Sequence, residues 1–116
     1  MAQRRADAER IAAGLKLLSD ATRIVILDEL DRAPATVGET AQRVGIAQPT
    51  ASAHLRQLRD AGLIDAQRDG QRTVYRVQRD QIERVMDDAR EWMLDTSIRS
   101  SEGARGQAAA AIRSIH

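Results

Sequence analysis

Residues 41–63 read AQRVGIAQPTASAHLRQLRDAGL, and their pattern decides the fold. Gly45 can supply the left-handed residue that ends a short helix closing at Val44. A second helix, about Pro49 to Ala61, begins with a proline in its first turn, where the missing N–H costs little. Ala51, Leu55 and Leu58 recur along it at helical spacing and point inward, and Gly62 closes it. The outer face keeps short or polar residues: Gln48, Pro49, Ser52, Ala53 and Arg56, with Thr50 beside them. Two short helices joined by a tight turn, the second with a low outer face, form a helix-turn-helix, whose second helix enters the DNA major groove. Two strands follow, about Leu63–Gln67 and Arg72–Val77, with Asp69-Gly70 as a hairpin signal between them. A helix-turn-helix followed by a β-ribbon predicts a winged helix.

The flanking segments complete it. Ala8, Ile11, Leu15 and Leu18 give a first helix over about Gln3–Leu18. Ser19 or Asp20 caps a second helix, in which Ile24, Leu27 and Leu30 are expected inside and Val25 and Ile26 widen the apolar face, as in a central helix. Ala33, Pro34 and Ala35 break it. Thr36 and Glu39 form a capping-box pattern opening the third helix, with Val37, Ala41 and Val44 inward. A last helix over about Asp80–Thr96 carries Ile82, Val85, Met86, Ala89, Trp92 and Met93 on one stripe. The expected fold is mainly α with a small β-hairpin, in the order α-α-α-α-β-β-α. Residues 1–97 form a winged helix-turn-helix domain for DNA binding and dimerisation, and 98–116 a flexible or loosely helical tail.

Composition narrows the function classes. A chain of 116 residues, 42% hydrophobic and 30% charged, suits one soluble globular domain. No run approaches the ~20 apolar residues of a membrane span, and the charged N-terminus lacks a signal-peptide core, so the expected location is the cytoplasm. Cysteine is absent, which excludes disulfides and thiolate metal or redox chemistry. Two histidines, no cysteine and no Gly-rich phosphate loop leave an enzyme without parts. The net charge is only +1, but seven Arg face three Asp between Arg43 and Arg79, a local excess of four positive charges.

These charges and the outer face of the fourth helix define a candidate DNA surface. Gln48 can pair with adenine edges, Ser52 with either base type, and Arg56 with phosphate or guanine. Arg68 and Arg72 flank the hairpin tip Asp69-Gly70-Gln71 and can reach phosphates or a minor groove. The competing readings are an ordinary solvated helix and a hairpin whose charges only keep it soluble. The order of turn, helix and wing favours DNA. His54, beside Leu55, is expected to be a partly buried structural residue. The stripe on the last helix is too apolar for a surface helix, so Ile82, Val85, Met86, Ala89, Trp92 and Met93 are expected to meet Ile11 and Leu15 of a partner in a homodimer.

A family resemblance rests on these same segments. LKLLSDATRIVILDEL at 15–30 resembles the helix 1–helix 2 signature of the ArsR/SmtB winged-helix repressors. GIAQPTASAHLRQLRDAGLI is similar to that family's recognition helix and entry to the wing, and DGQRTVYRV to its wing. The resemblance covers about residues 11–95 and implies a dimeric bacterial transcriptional repressor. It also implies a dimer interface built from the first and last helices, and an inducer that weakens operator binding.

Departures bear on the signal. Many members sense metal through Cys near the third helix, and here there is none. Others use His and carboxylates on the last helix, but no His lies between Gln81 and Thr96. Asp87, Asp88 and Glu91, with the terminal His116, are the remaining metal candidates. Carboxylates alone bind transition metals weakly, so no metal or other cofactor is expected. Ala47 stands where the family often has a Ser cap, which softens the start of the fourth helix.

The function expected is thus that of a sequence-specific DNA-binding regulator, repressing from a pseudo-palindromic operator as a homodimer, with its effector unidentified. Two alternatives stay open: a nickel- or zinc-responsive regulator using carboxylates and His, and a winged helix used for protein–protein assembly. The second would expose large apolar groups where this chain has an Arg-rich wing.

Overall fold

Capping chemistry sets most helix limits in the computed structural model, which describes residues 2–100, with side chains to Leu94. Helix α1 spans Ala2–Leu18 and α2 spans Ala21–Arg32. Asp20 is the N-cap of α2; its carboxylate accepts the Arg23 N–H at 3.1 Å. Helix α3, Val37–Val44, opens with the expected capping box: Thr36 Oγ1 accepts the Glu39 N–H at 3.1 Å and Glu39 Oε1 accepts the Thr36 N–H at 2.9 Å. Gly45 ends it at φ 79°, a left-handed conformation that other residues rarely adopt, and its N–H donates to the Ala41 carbonyl. Helix α4 spans Gln48–Asp60.

The wing is an antiparallel hairpin of β1, Ile64–Asp69, and β2, Arg72–Val77. Strand β1 runs two residues further than its sequence suggests. Asp69 pairs with Arg72, so the two-residue turn is Gly70-Gln71 rather than Asp69-Gly70. Gly70, at φ 65°, takes the first turn position, the arrangement in which glycine is required there and no second positive φ is needed. Ala35, read as part of a break, exchanges both backbone hydrogen bonds with Tyr75 and ties the wing to the α2–α3 connection. Helix α5 spans Arg79–Ser100, longer than expected at both ends.

Ile26, Leu30, Leu55, Leu58, Leu63 and Ile64 are essentially excluded from solvent and form the core with Leu27 and Ala35. Val37 and Val44 pack on its edge. The one fully buried polar side chain among the described residues, Thr40, donates its hydroxyl to the Thr36 carbonyl at 2.8 Å.

Two sequence expectations fail here. Ile24 and Val25 are 52% and 44% exposed, so α2 is a one-sided helix and not a central one. Its inner stripe is Ile26, Leu27 and Leu30, at i, i+1 and i+4, which rotates Ile24 and Val25 outward. On α5, Ile82 and Val85 pack against this chain's own core, where a partner had been expected to cover them. Val85 also meets α1 at Gly14. A Cβ on Gly14 would lie 2.9 Å from Val85 Cγ1, so the helices approach closely because that side chain is missing.

The chain divides into two units between Val85 and Met86. In the second unit Ala89 is buried and Trp92 half-buried, while Met86, Met93 and Leu94 are exposed. The expected tail at 98–116, with His116, has no described side chain, and residues beyond Ser100 lie outside the described residues.

Candidate nucleic-acid interface

The interface starts with how α4 is held. Ala51, Leu55 and Leu58 are buried, which turns one face of the helix onto the core. The opposite side carries Pro49, Ala53 and Arg56, all exposed, with the exposed Gln48 and the half-buried Ser52 at its margin. Thr50 is exposed but lies on the other flank, nearer Gln57 by helical spacing. Ala47 is the N-cap and supplies no side-chain hydrogen bond. Five of the six expected α4 residues are thus exposed and Ser52 is half-buried, and all but Thr50 lie on one continuous stripe.

Arg59 was missed. It follows Gln48, Ser52 and Arg56 at spacings of 4, 4 and 3, and shares their stripe one turn further on. It is exposed, and its spacing from Arg56 was the available signal.

The wing divides its arginines. Arg68 and Gln71 are exposed near the tip. Arg72, expected to contact DNA, donates instead to Glu39 Oε1 at 2.7 Å, bridging the wing to the start of α3. Glu39 thus serves two partners. The Thr36 hydrogen bonds, then the Arg72 charge, hold its carboxyl below the ordinary value. Arg76 is bonded to Gln67 across the hairpin at 3.1 Å. Arg43 donates to the Ala33 carbonyl at 2.9 Å, and Arg79 pairs with Asp31. Of the seven arginines counted in the sequence, Arg56, Arg59 and Arg68 are those with no partner among the described residues.

His54 is half-buried and accepts a hydrogen bond at Nδ1 from Arg23 Nε–H at 3.2 Å, in accord with its expected structural role. Among the metal candidates, Asp87 is paired with Arg90 at 3.2 Å and Glu91 is exposed; among the described residues no three His, Asp or Glu gather in one place. None of the described helices is long and apolar enough to cross a membrane.

This geometry can be set beside known proteins. Residues 18–67 match a family model described as a helix-turn-helix domain. Over 87 residues the chain is 39% identical to the HTH-type transcriptional regulator YgaV of Escherichia coli, covering 74% of this chain and 88% of that one. Its fold matches, with a TM-score of 0.62 and 30% identity, the homodimeric winged helix-turn-helix DNA-binding domain of Mb0332 from Mycobacterium bovis, described as a possible ArsR-family transcriptional regulator. That match covers 88% of this chain and 89% of the other. This chain belongs to the ArsR/SmtB family of winged-helix transcriptional regulators. NolR of Sinorhizobium fredii is similarly close in structure, with a TM-score of 0.68 at 30% identity over 78% of this chain and 91% of that one. In this ArsR/SmtB-family regulator, α3 and α4 are the helix-turn-helix and β1–β2 the wing. Family members are DNA-binding regulators of transcription, not enzymes.

Proposed function

We propose that this ArsR/SmtB-family regulator is a cytoplasmic homodimeric repressor that reads a pseudo-palindromic operator with α4 and straddles the adjoining backbone with its wing. The observation that carries this reading is the solvent-facing stripe of α4. It is packed on the core from behind and bears small or hydrogen-bonding groups at its start, with exposed guanidinium groups at Arg56 and Arg59 that have no partner among the described residues. Gln48 and Ser52 supply base contacts, with Pro49, Thr50 and Ala53 keeping the helix surface low. Arg56, Arg59, Arg68 and Gln71 supply backbone contacts. A homodimer fits because a two-fold protein presents two such helices to two half-sites, and the Mycobacterium bovis relative is homodimeric.

The effector is a ligand other than a transition metal, a partner protein, or protein abundance itself. The reason is chemical: with no thiolate anywhere and no imidazole on α5, the usual soft and borderline donors are missing. The test is mobility shift on a genomic DNA pool followed by variant scanning. Gln48→Ala and Ser52→Ala should relax specificity at one or two base pairs, at about 1–3 kcal/mol each. Unchanged operator affinity in both would remove α4 as the reader.

A further inference from the structure

Arg23, on α2, reaches the back of the reading helix. Its Nε–H donates to His54 Nδ1 at 3.2 Å and its Nη2 donates to Gln57 Oε1. His54 and Gln57 are three residues apart on α4, so both acceptors lie on one flank, turned away from Gln48, Ser52 and Arg56. Among the described residues these are the polar side-chain bonds between α2 and α4. Both ends of the contact are prepared. The Arg23 N–H is held by the N-cap carboxylate of Asp20, which fixes the root of the side chain. Asp20 is itself held below its ordinary pKa, first by that N–H and further by the Arg23 charge. At the other end, acceptance at Nδ1 places the proton of a neutral imidazole on Nε2. A guanidinium is the side chain that can span two acceptors with one rigid fork.

Helix α4 needs such a tie. Its N-cap, Ala47, gives no side-chain acceptor, although Gln48 and Ser52 occupy the first turns. Its apolar anchors Ala51, Leu55 and Leu58 form a single stripe, about which a helix can still rock. A two-point polar clamp on the flank opposes that rocking.

We propose that Arg23 is a positioning residue for DNA readout, acting through His54 and Gln57 to hold the rotation of α4 and making no DNA contact itself. The inference rests on the reading of α4 as the recognition helix. It is tested with the full chain and two duplexes: one selected by the wild-type protein from a random-sequence pool, and a scrambled version of it. Anisotropy titrations at several salt concentrations give affinity and salt slope for each, and thermal melts report folding.

Arg23→Ala should lose affinity for the selected duplex by about tenfold, as expected when its charge-assisted contacts to His54 and Gln57 are lost together. Binding to the scrambled duplex and the salt slope should stay at wild-type values. His54→Asn keeps an acceptor oxygen near the Nδ1 position and should bind like wild type. His54→Leu, which leaves the Gln57 bond, should lose part of that affinity, and the double variant should be no weaker than Arg23→Ala alone. Should Arg23→Ala fail to fold, the contrast between His54→Asn and His54→Leu carries the test. A salt slope smaller by about one in Arg23→Ala would mean a phosphate contact and overturn the proposal. Equal losses on both duplexes, or His54→Asn behaving like His54→Leu, would overturn it too. A wild-type protein that selects no sequence would instead overturn the recognition-helix reading.

Discussion

Arginine is the residue on which this molecule's chemistry turns, and its copies have two occupations. Arg23, Arg43, Arg72 and Arg79 join different elements, while Arg56, Arg59 and Arg68 are exposed and have no partner among the described residues. The second group is the part of the basic patch available to DNA. Arg56→Ala and Arg68→Ala should each weaken binding on all sequences and reduce the salt slope by about one unit. Arg72→Ala should change the slope less than Arg68→Ala, because Arg72 must first leave Glu39. Salt titrations of the three variants on one duplex check this ranking; equal slopes for Arg68→Ala and Arg72→Ala would count against it. The division explains what could be read at this scale. Thr36, Glu39 and Gly45 were legible because a cap is a local pattern of three or four residues. The Arg72–Glu39 and Arg79–Asp31 pairs span 33 and 48 positions, and charge counting carries no information on such pairings.

Elements show the same limit in their packing. The helix order and the wing were legible from periodicity and turn residues, whereas the outward rotation of Ile24 and Val25 depends on which face α2 turns to α3 and α4. Gly14 is a sharper case. In the sequence it is a weak point in an amphipathic helix; in the fold it admits Val85. Gly14→Ala would gain roughly 0.5–1 kcal/mol of helix propensity, but overpacking costs about 1–3 kcal/mol. A net loss in denaturant midpoint is expected, relieved when Val85→Ala is added. A stabilised Gly14→Ala protein would mean that α1 shifts freely. The start of α3 adds a pH dependence. The Glu39 carboxyl titrates below its ordinary 4.5 in the folded chain, so its contribution is fully present above that value and fades as pH falls through the lowered one. Glu39→Gln keeps a cap acceptor without the titrating group. Its stability should therefore fall less steeply in acid than that of the wild type, as measured by melts between pH 6 and pH 3. Parallel acid limbs in the two proteins would refute the linkage.

One chain leaves apolar surface uncovered, with Met86, Met93 and Leu94 exposed on α5. Sequence patterning placed the entire α5 stripe at a dimer interface, because periodicity marks an apolar face without saying whose core receives it. Ile82 and Val85 serve this chain's own core, while Met86 and Met93, seven positions apart on one face, are 52% and 58% exposed and Ala89 between them is buried. The two exposed methionines on this face, with the two half-sites proposed for the operator, predict a two-fold contact through α5. Burial there yields roughly 25 cal/mol for each Å² of apolar surface removed from water. Met86→Glu places a charge in that contact while leaving the core residues of α2, α4 and the wing untouched. Wild-type protein should sediment as a dimer at micromolar concentration and Met86→Glu as a monomer with an unchanged hairpin and helix-turn-helix. Without the second reading helix, binding to a full palindrome should fall to the level of a half-site, because the two helices no longer bind as one linked unit. A wild-type monomer at these concentrations, or a Met86→Glu dimer that still binds the palindrome tightly, would place the interface elsewhere or remove it.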